Sequence, residues 1–371
     1  MHKFLNLRQP LSGSKYPNPQ VLQPGHHYEY PFLFVISQRL LPQACTHDTV
    51  SSSVKQTHLQ PPPSLEDMAP GDFRISYAVR VVLSKITCKG TTKTLINLAK
   101  NVRIFPVTEH PQCLNSIMSN SNIYTRSEQN IKHGFERRTM GRMVVEASPA
   151  NSVLCQPISQ ENTTNTIIIR LNLRFDPVLD ASPPQPKEIS AKLHANTFYS
   201  TIPWEDCPSW TDGLLLAGRA QSAFTKKTKL GSFGVGPFQW TKHIRSADEV
   251  QIEDSLEPFP DPSTSFAGGT FYTASAVLPI SLPKSETQVP TFHSCLISRT
   301  YDLKIHITHD TPKSDFQKSN ANVKVPLNVS YAGGDKREVI STLKEEFPER
   351  VSCVLDSCDK HPPPKYAAGL M

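Results

Sequence analysis

Apolar and polar side chains alternate one for one along several stretches of this chain. That is the period of a β-strand with one face on a core and the other in water. In FRISYAVRVVLS, Phe73, Ile75, Tyr77, Val79, Val81 and Leu83 fall on one face, with Arg74, Ser76, Arg80 and Ser84 on the other. In IRLNLRF, Ile169, Leu171, Leu173 and Phe175 alternate with Arg170, Asn172 and Arg174, and in YDLKIHI, Tyr301, Leu303 and Ile305 alternate with Asp302, Lys304 and His306. Shorter alternating runs lie at 189–195 and 271–280. VKVPLNVSY buries Val323, Val325, Leu327, Val329 and Tyr331 and sets Pro326 on the opposite face. A missing N–H is tolerated mainly at a sheet edge or bulge, so this strand is predicted at an edge. Helical periodicity is confined to KREVISTLKEEF, where Val339, Ile340, Leu343 and Phe347 share one stripe.

Between these strands lie proline-bearing polar stretches such as QPPPSLEDMAPGD (60–72) and DASPPQP (180–186), the punctuation of antiparallel sheets. With 33 prolines against 16 glycines in 371 residues, long helices are not expected. One β-sandwich rarely needs so many residues, so the pattern predicts an all-β chain of two tandem immunoglobulin-like β-sandwiches. Residues 147–166, polar and aperiodic, mark the predicted boundary. The expected domains are 1–150, 151–333 and a flexible C-terminal tail, 334–371. No repeat at a fixed period points to a propeller or solenoid.

Charge narrows the partners. The 39 basic and 33 acidic side chains leave a formal +6, too thin a surplus for a protein that reads nucleic acid by its phosphates. No run approaches the ~20 apolar residues of a membrane span. Eight cysteines spread over the chain are unlike the frameworks of small secreted domains, and are read as reduced thiols in a cytosolic protein.

Catalytic motifs are missing from the sequence, and no enzyme, metal or cofactor is expected. GSFGVGPF, around Gly231 to Gly236, lacks the strand-to-helix context in which a glycine-rich loop holds phosphate. His26 and His27, as neighbours on an extended chain, point to opposite sides and are read as exposed loop residues. Cys295, beside His293 and Ser294, is read as a packed thiol. The tail trio Cys353, Cys358 and His361 has a spacing only loosely like that of zinc ligands. Basic residues gather at Lys226, Lys227 and Lys229, and at Lys132, Arg137, Arg138 and Arg142. Of these Lys226, Lys227, Lys229, Arg137 and Arg138 are the candidates for contact with anionic headgroups or phosphorylated tails. In HPPPKY, Pro363, Pro364 and Tyr366 fit PPxY, the ligand pattern of WW domains. Consecutive prolines pre-form a polyproline II helix for an aromatic groove, and the tyrosine fills a second pocket.

These segments, in order, resemble the fungal α-arrestins, the arrestin-related trafficking adaptors. The resemblance is carried by LNLRQPLSGSKYPNPQVLQPGHHYEYPFLFVISQRLLPQACTH, HLQPPPSLEDMAPGDFRISYAVRVVL, RIFPVTEHPQ, ERRTMGRMVVEAS, IIIRLNLRFDP, SAKLHANTFYS, QWTKH and YTASAVLPISLPKSETQVPTFHSCLISRTYDLKIHI. It runs with gaps from about residue 4 to residue 331. It implies arrestin-like sandwiches without catalysis, and an adaptor that recruits a WW-domain HECT-type ubiquitin ligase to plasma-membrane transporters or receptors for ubiquitination and endocytosis. Such a protein works in the cytoplasm and at the periphery of plasma membrane and endosomes. An arrestin-like scaffold in endosomal sorting or signalling, recruiting no ligase, is the alternative. Members of the family carry strands ahead of the segment matching KFLNLRQPL. The first sandwich is therefore expected to be incomplete, with exposed edges and a half-covered core.

Overall fold

The computed structural model describes residues 2–9, 23–30, 32–66, 73–87, 90–107, 125–133, 138–148, 153–155, 165–178, 181–208, 220–234, 236–245, 259–283, 289–309 and 319–331. Met1–Asp48 and His58–Pro61 belong to one unit of the chain, Thr49–Thr57 and Pro62–Ala332 to another. The described residues are mostly strand, as the alternation predicts. A short helix, α1 (Ser52–His58), starts where the Ser51 hydroxyl accepts the Val54 N–H. The predicted helical stripe at 336–347 lies outside the described residues.

Among the described residues fourteen strands follow, all in the second unit: β1 (Tyr77–Ile86), β2 (Thr92–Val102), β3 (Arg126–His133), β4 (Arg138–Ala147), β5 (Val153–Cys155), β6 (Asn165–Pro177), β7 (Pro186–Ser200), β8 (Gln221–Phe233), β9 (Thr241–Arg245), β10 (Gly269–Leu282), β11 (Phe292–His293), β12 (Ile297–His309), β13 (Ser319–Leu327) and β14 (Val329–Tyr331). One five-stranded sheet runs β3-β4-β6-β10-β9; the other runs β11-β12-β7-β8, with β13 also paired to β12. All these pairs are antiparallel. The β5–β14 pair is parallel. Residues 126–147 thus share a sheet with β6 and β10.

The alternating faces supply the core. Met143 and Val145 of β4, Leu171, Leu173 and Phe175 of β6, Leu193 of β7, Leu303 and Ile305 of β12, and Val323 and Val325 of β13 join one buried cluster fed by both five-stranded sheets. Each such side chain contributes about 1.5–3 kcal/mol by leaving water. Pro326 sits on β13, whose one strand partner among the described residues is β12, as the edge prediction requires.

Four expectations need correction. The strand expected from Phe73 begins at Tyr77, because Ile75 leaves the pattern early for a two-bond bridge with Leu65. Along β1 the expected face is covered at its start and opens further on: Tyr77 is buried and Val79 and Leu83 are half-buried, whereas Val81, opposite Leu98 of β2, is 56% accessible. Arg174 and Asp302, assigned to water-facing rows, are buried. Arg174 is covered by β10 and the segment before it: its guanidinium lies 3.9 Å from the ring centroid of Phe271 in β10 and 4.7 Å from that of Phe266 just ahead of it. Cysteine chemistry also departs from expectation, since Cys207 is disulfide-bonded, whereas Cys45 and Cys295 are in no disulfide.

His309, at the end of β12, is buried, and desolvation holds its pKa down to about 4, against the backbone of Gln185 and helped by the nearby His306. An unfolded histidine titrates near 6.5, so between those values the unfolded chain binds the extra proton. The contribution of His309 to stability is present above about pH 6.5 and is lost as pH falls towards 4. Urea denaturation across that window should show stability falling with pH by a slope of up to about one proton from this group. His309→Leu should remove that part of the slope; an unchanged slope would count against it.

Candidate functional site

The three lysines singled out on β8 do not form one patch. Lys226 lies opposite Ala195 of β7, whereas Lys227 lies opposite His194 and Lys229 opposite Lys192. Since neighbours on a strand face opposite ways, Lys226 is on the Ala195 side of the sheet, and Lys227 and Lys229 share the other. Gly231, at φ 126°, accommodates a bulge in this pairing that a side chain would strain. The glycine-rich stretch therefore continues a strand into Phe233, with β9 as the next element, and has no helix to hold phosphate.

Following the register across the sheet assembles the site. Lys192 of β7 lies opposite Lys229 of β8 on one side and Lys304 of β12 on the other, and Lys304 lies opposite Lys324 of β13. Four lysines therefore stand in one cross-strand row on the face turned away from the core. At ~4.8 Å between strands the row spans roughly 14 Å. One step along, Lys227, His194 and Asp302 form the next row. Lys192, Lys227, Lys229 and Lys304 are exposed, and Lys324 is half-buried.

Against these five lysines the two rows contain one carboxylate. Asp302 lies 3.3 Å from Lys324 Nζ and 3.3 Å from His194 Nδ1, and accepts a 2.7 Å hydrogen bond from Asn196 Nδ2. The His194 ring is held below the ordinary histidine range, first by burial and then by the charges of Lys227, Lys324 and Lys304, with Asp302 opposing them. Like charges directly opposite one another weaken a sheet. This sheet carries the repulsion on a solvent-facing surface, where an anionic ligand can neutralise it.

In the second basic cluster Lys132 is exposed, while Arg142 is engaged in structure. Arg142 of β4 pairs with Glu128 of β3 and reaches the Thr264 hydroxyl, and Arg126 holds Glu146 and the Asp261 and Pro262 carbonyls. Hydrogen bonds from Thr264 and Arg142, with the Arg142 charge, keep the Glu128 carboxyl below its usual range despite the opposing desolvation. For Arg138 the structure gives the backbone alone, paired with His133. Arg137 lies outside the described residues, as do Pro363, Pro364, Tyr366 and the tail cysteines.

His26 and His27 are exposed, as expected. His293 Nδ1 pairs with the Ser298 hydroxyl, and the Cys295 carbonyl accepts the Trp204 N–H at 2.8 Å. Cys295 is buried, matching the packed-thiol reading.

Sequence reasoning passed over a trio in the first unit. The Cys45 thiol lies 3.3 Å from His47 Nε2 and 3.7 Å from His58 Nδ1. Cys45 ends the 3-10 turn Pro42–Ala44, its N–H bonded to the Pro42 carbonyl, and a Leu40 N–H to Leu59 carbonyl bond of 2.6 Å brings the two segments together. Burial, and then the His47 charge, lower the His58 pKa to about 4, so its ring is a neutral lone-pair donor at neutral pH. The Cys-x-His spacing was the available signal; nothing local pointed to His58.

Compared with models of known protein families the chain matches none, and a search of curated proteins finds no match.

Proposed function

We propose that the chain is an arrestin-like, non-catalytic adaptor that lies against an acidic membrane surface and presents its PPxY tail to a WW-domain HECT-type ubiquitin ligase. Transporters or receptors in that membrane are its cargo, and their ubiquitination and endocytosis its outcome. Supporting the fold part of the reading, both five-stranded sheets feed one core, as two layers of a β-sandwich would. The observation that carries the membrane part is the row Lys229, Lys192, Lys304 and Lys324 with Lys227 beside it. A cross-strand row of ammonium groups suits a lattice of headgroups, each lysine adding about 1 kcal/mol at an acidic surface. The ligase part rests on Pro363, Pro364 and Tyr366. One such motif binds at roughly micromolar strength, about 8 kcal/mol, enough when ligase and cargo share a membrane.

Vesicle co-sedimentation tests the first part. The Lys192→Gln/Lys304→Gln double variant should bind phosphatidylserine-containing vesicles about 30-fold more weakly than the parent, the equivalent of roughly 2 kcal/mol. Raising the salt should weaken the parent as well. Equal binding by both proteins would remove the lysine face from the model of function.

A pull-down with isolated WW domains tests the second. Tyr366→Ala should abolish capture while leaving vesicle binding unchanged. If capture survives, the tail does not recruit the ligase and the scaffold reading takes its place.

A further inference from the structure

We propose that Cys45, His47 and His58 form a binding site for a zinc ion, a role separate from both the lysine face and the tail motif. The geometry fits a metal better than a hydrogen-bonded cluster. Zn–S and Zn–N bonds of about 2.3 and 2.05 Å at a tetrahedral angle place sulfur and nitrogen about 3.6 Å apart. The two S···N separations here, 3.3 and 3.7 Å, bracket that value. One ligating atom from each of the three side chains lies within 4.8 Å of the others. A thiol carries a single proton and can donate it to one ring at a time. A cation in that place satisfies the sulfur and both imidazoles together.

The tautomer of His47 points the same way. Its Nδ1 is 2.9 Å from the Asp48 carbonyl, a contact in which nitrogen is the donor. That leaves Nε2, the nitrogen facing Cys45, with its lone pair free. Orientation of a ligating imidazole by a carbonyl on its other nitrogen is the usual outer support of a zinc site. Thiolate with two imidazoles selects zinc among the common divalent ions and disfavours magnesium and calcium, which take oxygen ligands. Cys45 and His58 are each 1% accessible, so the ion would be shielded from solvent exchange. The His47 and His58 ring centroids are 5.1 Å apart, with the rings tilted by 46°.

The test uses the full-length chain, purified without a histidine tag or chelator, with zinc measured by plasma mass spectrometry. About one equivalent is expected, together with a thiolate-to-cobalt charge-transfer band when cobalt replaces zinc. Cys45→Ser should lose that band. His47→Gln, at a partly exposed position that spares the fold, should weaken zinc more than about tenfold against a chromophoric chelator. A Cys353→Ser/Cys358→Ser variant should keep the metal and the band. Folded protein with neither zinc nor a cobalt band would overturn the assignment, as would zinc that survives both Cys45→Ser and His47→Gln, or zinc lost with the tail cysteines alone.

Discussion

Asp176→Ala is expected to destabilise the protein by about 3–5 kcal/mol, because it strands a buried cation. Arg174 and Asp176 are two apart on β6, share a face, and are 5% and 4% accessible. Arg174 Nε donates to Asp176 Oδ1 at 2.8 Å, while Asp176 Oδ2 accepts the Ser263 N–H at 2.8 Å. Among the described residues the other contacts of the guanidinium are neutral: the Pro260 carbonyl at 3.4 Å and the rings of Phe266 and Phe271. None of these replaces a carboxylate. Removing both charges avoids the stranded ion, so Arg174→Leu/Asp176→Leu should cost less than Asp176→Ala alone. Urea denaturation of the three proteins decides it. A single variant within 1 kcal/mol of the parent would mean that water reaches the pair.

Gly141→Ala should reach or exceed the upper end of the ~1–3 kcal/mol cost of overpacking. Gly141, on β4, lies opposite Ile131 on one side and Pro177 on the other. A Cβ there would come within 2.4 Å of the Asp176 carbonyl oxygen and within 2.7 and 2.8 Å of the Phe175 ring. The first obstacle is backbone of a paired strand, and the second a ring with no accessible surface. Neither is the free end of a flexible side chain. Gly234→Ala is the matched control, since nothing lies within 4 Å of the position a Cβ would take and its φ is not positive. A thermal melt in which the two alanine variants coincide would show that β4 and β6 can part to admit a methyl group.

Much of the fold was legible because a two-residue period encodes which face is buried. Tyr301, Leu303 and Ile305 are buried as their alternation with Lys304 and His306 requires. What alternation cannot encode is a third party. Arg174 looked water-facing because its pattern reports only the sheet, and the segment from Pro260 to Phe266 that covers it comes some ninety residues later. β1 errs the other way: Tyr77 is buried as its pattern requires, but Val81 on the same face is exposed, because alternation does not encode how far a covering layer reaches. For the candidate site, the sequence offered Lys226, Lys227 and Lys229 as one cluster. Register separates Lys226 from the others and adds Lys192, Lys304 and Lys324, which are far apart in sequence and aligned only by pairing.

The parallel pair of β5 and β14 bears on how the chain acquires its structure during synthesis. Val153 lies beside Val329, and β14 also takes the Thr291 N–H through the Val329 carbonyl. β12, which joins β7 to β13, likewise lies late in the sequence. Strand β5, and the edge of β7 that takes β12, must therefore leave the ribosome long before their partners, although β8 follows β7 closely. Non-local pairing of this kind folds slowly and exposes intermediates to aggregation. A chain stopped just short of residue 329 would keep nearly all of its composition and still lack the closing contact.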